Sequence, residues 1–206
     1  MLGVYNYTVI LTYIGMLTGL TGIGFAMGGK LPWALLCLLL AGLCDMFDGK
    51  IASTMERTAQ EKRFGVQIDS LSDLICFGVL PGVIVYSTAP GKIAVVVVAG
   101  LYVLCALIRL AWFNVDEEER QDATDSQREL YRGLPVTTSA LFLPTLLGLA
   151  RLLSWPLPLL GVVLLAVMAV AFLTPFKLVK PRLTGKIIML LIGCGEMVIV
   201  LLGVKQ

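Results

Sequence analysis

Four aspartates sit in paired helical register within two neighbouring apolar stretches: Asp45 and Asp48 in one, Asp69 and Asp73 in the next. Spacings of i, i+3 and i, i+4 put each pair on one face of a helix. A charge at membrane depth costs several kcal/mol unless it is compensated, so a carboxylate there usually marks function. Four of them need a strong common partner, and a divalent cation is the simplest one. Facing pairs of hard oxygen donors suit one or two Mg2+ or Mn2+ ions, which would in turn attract a pyrophosphate. Gly49 and Ala52 continue the first stripe and Gly65 lies one turn before Asp69, so a ligand could approach the backbone closely. The chain has no histidine, which leaves carboxylate, lysine, tyrosine or cysteine as a general base.

The elements that must carry these groups are helices long enough to cross a bilayer. The 206 residues are 58% hydrophobic and 15% charged, with a mean hydropathy of +0.90. A soluble domain is roughly 25% charged. The apolar residues come in runs, which predicts an all-α polytopic membrane protein. Seven spans are expected, at 7–27, 32–54, 65–88, 92–114, 134–153, 157–176 and 186–204, with six spans plus one interfacial helix as the alternative. The polar stretch 115–133 reads as the longest loop. With no repeat or low-complexity tract, residues 1–206 are expected to form a single domain. The first apolar run lacks a charged start and a small-residue cleavage site, and is expected to be a retained span.

Charge placement gives the orientation. Lys50, Arg57, Lys62, Arg63, Arg120, Arg128, Arg132, Lys177, Lys180, Arg182 and Lys186 fall on one side; Lys30, Lys92, Arg151 and Lys205 fall on the other. The positive-inside rule then predicts a cytoplasmic N-terminus. Both aspartate pairs lie near the cytoplasmic ends of their spans, so the site is expected to face the cytoplasm from a multi-pass protein of the cell membrane. No basic block suits nucleic acid. The five cysteines all fall in apolar segments without a CxxC pair, as expected of packing residues.

The stretch Asp45-x-x-Asp48-Gly49-x-x-Ala52, followed by Gly65-x-x-x-Asp69-x-x-x-Asp73, resembles the signature of the CDP-alcohol phosphotransferases. The resemblance implies that Asp45, Asp48, Asp69 and Asp73 hold two Mg2+ or Mn2+ ions, with Asp73 also acting as general base. It implies that Gly49, Ala52 and Gly65, together with Asp48, accommodate the nucleotide of a CDP-linked lipid, with Thr12 on the first span nearby. Two departures are visible. Ser53 stands where the family usually has Arg, and the following gap, residues 54–64, is longer than usual. Arg57 is expected to supply the missing cation one turn further on.

Three further segments are similar to the phosphatidylserine synthase branch of that family. They are Asp69-Ser70-Leu71-Ser72-Asp73 with Cys76-Phe77-Gly78-Val79-Leu80-Pro81, then Arg109-Leu110-Ala111-Trp112-Phe113-Asn114, then Gly133-Leu134-Pro135. The resemblance implies CDP-diacylglycerol as donor, L-serine as acceptor, and a homodimer in lipid. An arginine can grip the carboxylate of serine with two parallel hydrogen bonds, which makes Arg109 the first candidate and Arg132 the second. Asn114 is expected either to bond serine or to end the fourth helix. A sister enzyme acting on glycerol 3-phosphate or an inositol phosphate is the nearest alternative. An ion-coupled transporter or divalent-cation channel is the alternative from another class, because intramembrane aspartates serve transport as well. Glu196 in the last span has no expected part in the chemistry, and is expected to pair with a cation or to be protonated against a neighbouring helix.

Overall fold

The computed structural model describes residues 3–123, 130–179 and 183–204. Among the described residues the elements are helices and one short ladder: α1 (Tyr7–Met27), α2 (Leu31–Ala52), α3 (Ala59–Asp73), a π-helical segment (Leu74–Val79), α4 (Leu80–Ser87), α5 (Ile93–Ala123), β1 (Leu130–Arg132), α6 (Ser139–Leu152), α7 (Leu157–Leu173), β2 (Lys177–Val179) and α8 (Leu183–Val204). The chain is an all-α polytopic membrane protein. Helices Tyr7–Met27, Leu31–Ala52, Ala59–Ser87 and Ile93–Arg120 are long and apolar enough to span a bilayer. Val136–Leu152 and Leu157–Leu173 are shorter apolar helices. At 1.5 Å per residue such a helix reaches about 25 Å, at the low end of what a span requires.

Two predicted boundaries are corrected. The third helix starts at Ala59 rather than 65 because Thr58 and Glu61 form a capping box, the Thr58 side chain taking the Glu61 N–H and Glu61 taking the Thr58 N–H. The expected loop at 115–133 is helical as far as Ala123. Polarity is not loop propensity: Glu and Arg are good helix formers, and Glu117 pairs with Arg120 one turn on, at 2.5 Å. Beyond it, Leu130–Arg132 pairs antiparallel with Lys177–Val179, tying the α5–α6 connection to the α7–α8 connection.

Small residues set how closely the site-bearing helices approach. Gly15, Gly19 and Gly22 lie along one buried stripe of α1. A Cβ at Gly19 would stand 2.6 Å from Cys76 Sγ, and one at Gly22 would stand 2.8 Å from Cys37 Cβ. Cys37 and Cys76 are buried and free, as packing residues should be. Cys76 also donates to the Gly15 carbonyl at 3.3 Å.

The helix that follows Asp73 widens shortly before Pro81. Pro81 has no N–H, so an α-helix here would leave the Phe77 carbonyl without its donor. The backbone takes a π-helical turn over Leu74–Val79 instead, a rare local geometry that recurs at functional sites. Tyr102 Oη on α5 donates to the Phe77 carbonyl at 2.6 Å, and Ser139 Oγ on α6 donates to it at 3.3 Å. Tyr102 is fully buried, and its ring meets Phe172 of α7 at 5.4 Å. The core runs from this point through Leu35, Leu38, Leu80, Ile84, Leu143, Leu147 and Leu165.

Glu196 of α8 is 2% exposed and shares a hydrogen bond with Thr145 of α6. Its hydrogen-bond partner lies on the neighbouring helix α6, and it is not one of the clustered carboxylates of α2 and α3.

Candidate active site

The end of α2 and the end of α3 bring three carboxylates together. One oxygen from each of Asp45, Asp48 and Asp69 lies within 4.8 Å of the others. Carboxylates this close repel one another unless a proton or a cation stands between them. Asp48 is 8% exposed, so water screens it little. A cluster of hard oxygen donors with this spacing fits an oxygen-seeking divalent ion. Asp73 stands one turn beyond Asp69, at the junction with the π-helical segment, outside the set of three but within electrostatic reach of all of them.

The other expected residues distribute around this cluster. Thr12 of α1 is buried, and its Oγ1 donates to Asp48 Oδ2 at 3.1 Å. Its observed partner is thus one of the acidic groups. Ser72 Oγ reaches the Thr12 carbonyl at 3.4 Å, which ties α1 to α3 at the same level. Gly49 has open space where a side chain would project. Gly65 does not: a Cβ there would meet the Arg57 guanidinium at 3.2 Å. The structure therefore places Arg57 against α3, one turn before Asp69. The segment holding it is braced from α1, because Tyr7 Oη and Thr54 Oγ1 are 3.1 Å apart and Asn6 Nδ2 donates to Glu61 at 3.3 Å. Ala52 closes α2 and is half-buried.

Arg109 belongs to the seam between α5 and α7. It is 7% exposed, with its guanidinium 5.7 Å from the centre of the Phe113 ring. A Cβ at Gly133 would lie 3.5 Å from Arg109 Nε and 3.1 Å from the Phe172 and Thr174 carbonyls, and Gly133 has φ +77°. Only glycine suits both that crowding and that backbone angle. Two segments distant in sequence, Arg109–Asn114 and Gly133–Pro135, thus meet around one guanidinium. The side chain of Arg132 lies outside the described residues.

Asn114 does not end a helix, since α5 continues past it. Its amide instead bonds two residues of α3, Ser70 and Gln67. Beside this link is a cleft lined by Arg63, Val66, Gln67, Asn114, Glu117 and Glu118. The roles of Ser70, Gln67, Ser72 and Tyr102 went unread in the sequence. Ser70 and Ser72 lie inside the aspartate motif, but their partners are far along the chain and leave no local pattern.

Comparison with known proteins gives this geometry a family. The CDP-alcohol phosphatidyltransferase family matches residues 5–174, and the chain belongs to it. It is 35% identical over 146 residues to the CDP-diacylglycerol–serine O-phosphatidyltransferase of Mycobacterium leprae, covering 68% of this chain and 45% of the relative. The protein of the same name from Saccharomyces cerevisiae is 32% identical over 149 residues, covering 67% and 52%. The archaetidylserine synthase of Methanothermobacter thermautotrophicus is 37% identical over 107 residues, covering 52% and 46%. The chain thus spans about half the length of the curated relatives it matches.

Proposed function

We propose that the protein transfers a phosphatidyl group from CDP-diacylglycerol to the hydroxyl of L-serine, giving phosphatidylserine and CMP. The observation that carries the reading is the convergence of Asp45, Asp48 and Asp69 within 4.8 Å, with Asp73 one turn away, inside the stretch that matches the family. The names of the relatives support serine as acceptor. The archaeal relative supports the same acceptor with an ether lipid as a second candidate donor.

In this reading Asp45, Asp48 and Asp69 would hold Mg2+ or Mn2+, two ions by the family resemblance, with Asp73 at their edge. Such ions would neutralise the diphosphate and stabilise the departing CMP. The residues do the rest. Asp73 takes the proton from the serine hydroxyl as that oxygen attacks the lipid-side phosphorus; the new P–O bond forms while the bond to CMP breaks. Direct displacement is favoured, because no Ser, Cys or His constellation suggests a covalent enzyme intermediate. Gly49 and Ala52 leave room for the nucleotide, while Gly65 makes room for Arg57, which answers the phosphate charge that Ser53 cannot. Arg109 and Arg132 serve the acceptor carboxylate. The charge asymmetry supports a cytoplasmic N-terminus and a site open to the cytoplasm from the cell membrane, and the family resemblance adds a homodimer.

The deciding assay is CMP release from CDP-diacylglycerol by the purified chain, expected to require serine. Turnover with glycerol 3-phosphate in place of serine would overturn the acceptor assignment. Metal flux across vesicles without turnover would overturn the enzyme reading.

Thr12 supplies a further test. Its hydroxyl orients Asp48, and losing such an outer partner typically costs roughly 10-fold or more in metal affinity. Thr12→Val should raise the Mn2+ concentration needed for half-maximal turnover about 10-fold, while Thr12→Ser stays near the original value. A titration of activity against Mn2+ measures both.

A further inference from the structure

Asn114 reaches from α5 to α3 and uses both ends of its amide there. Its Oδ1 accepts from Ser70 Oγ at 2.6 Å, and its Nδ2 donates to Gln67 Oε1 at 3.2 Å. The amide carbonyl can only accept and its NH2 can only donate. A serine proton given to the carbonyl therefore turns the NH2 toward the Gln67 oxygen. Ser70 is 7% exposed, so this bond is shielded from competing water.

The placement of these residues gives the link its meaning. Gln67 and Ser70 are one turn apart on α3 and bracket Asp69, one of the three converging carboxylates. The cleft lined by Arg63, Val66, Gln67, Asn114, Glu117 and Glu118 opens between the same two helices. Five of the six residues that line it are polar, so α3 and α5 face each other here mainly through polar side chains. Between membrane helices, where lipid is as apolar as leucine, polar links contribute to the packing geometry. The tolerance is small. A turn of roughly 20° about the axis of α3 moves a carboxylate about 5 Å from that axis by about 1.7 Å. Metal sites accept deviations of about 0.2 Å in ligand distance.

We infer that Asn114 is a positioning residue: with Ser70 and Gln67 it latches α5 to α3 and fixes the rotation at which Asp69 faces Asp45 and Asp48. The latch rests on the metal-binding reading proposed above. It takes Asn114 away from the acceptor and assigns it to the acidic cluster.

The test uses the full chain in detergent, with Mn2+ binding followed by electron paramagnetic resonance in the absence of substrates. Asn114→Ala and Ser70→Ala should each weaken Mn2+ binding about 10-fold. The double variant should be no weaker than the worse single one, because both remove the same link. Ser70→Ala is the smaller change and leaves the amide in place for any ligand, so it decides the matter if Asn114→Ala fails to fold. At saturating Mn2+, the KM for serine should stay unchanged in Ser70→Ala. Unchanged Mn2+ binding in Ser70→Ala would overturn the latch alone. So would a rise in the serine KM in Asn114→Ala with Mn2+ binding intact, since that marks a direct acceptor contact. If the unaltered chain binds no Mn2+, the metal reading is overturned and the latch with it.

Discussion

Asp73→Asn is expected to lower turnover at least about 1,000-fold, within the range general-base catalysis contributes. Asparagine keeps the size and the hydrogen-bonding shape of aspartate but cannot take a proton. The position is suited to the loss. Asp73 stands outside the three carboxylates that lie within 4.8 Å of each other, so its removal leaves that set intact. Mn2+ binding should therefore survive the substitution while CMP release does not. Paired measurements of binding and turnover check this. Near-normal turnover would remove Asp73 as the base, and loss of Mn2+ binding would make it chiefly a ligand.

Removing divalent ions should abolish turnover, and restoring Mg2+ or Mn2+ should return it. The electrostatic argument is direct: three carboxylates share one small volume, and one of them is 8% exposed. In the proposed reaction a CDP-linked lipid would bring the negative charge of a diphosphate to the same place. Without cations the site would repel its own substrate, since unit charges about 4 Å apart interact by about 4 kcal/mol at an effective dielectric near 20. Chelation followed by titration with Mg2+, Mn2+ or Ca2+ measures the dependence. Full activity in excess chelator would sink the metal reading. Asp48→Ala should mimic chelation, with the loss only partly recovered at high Mn2+, because it removes the most enclosed of the three groups.

The parts of this molecule that were legible in its sequence are those with local causes. Apolar runs gave the helices, with α1 matching its expected bounds at 7–27 and α2 running from 31 to 52 against an expected 32–54. The i, i+3 and i, i+4 spacings gave the acidic faces, and the structure brings Asp45, Asp48 and Asp69 together. The start of α3 was also written locally, in Thr58 and Glu61, but a long apolar run drew attention to its own edge instead. The polar end of α5 was misread because charge was equated with a loop. Other features have no local signature at all. Thr12 finds Asp48 across 36 positions, Ser70 finds Asn114 across 44, and Leu130–Arg132 pairs with Lys177–Val179. Such partners are chosen by packing, which a single chain of letters does not display.

The Phe77 carbonyl has a consequence for how the protein is made. Its two side-chain donors lie 25 and 62 positions further along the chain. A nascent polypeptide entering the bilayer from its N-terminus brings in the acidic hairpin before the helices that carry these two donors. The widened turn beside Asp73 gains its side-chain donors only when Tyr102 and then Ser139 arrive, so a chain ending after the third helix would hold the acidic segment without them. Competence is conferred late, by helices that carry none of the four aspartates.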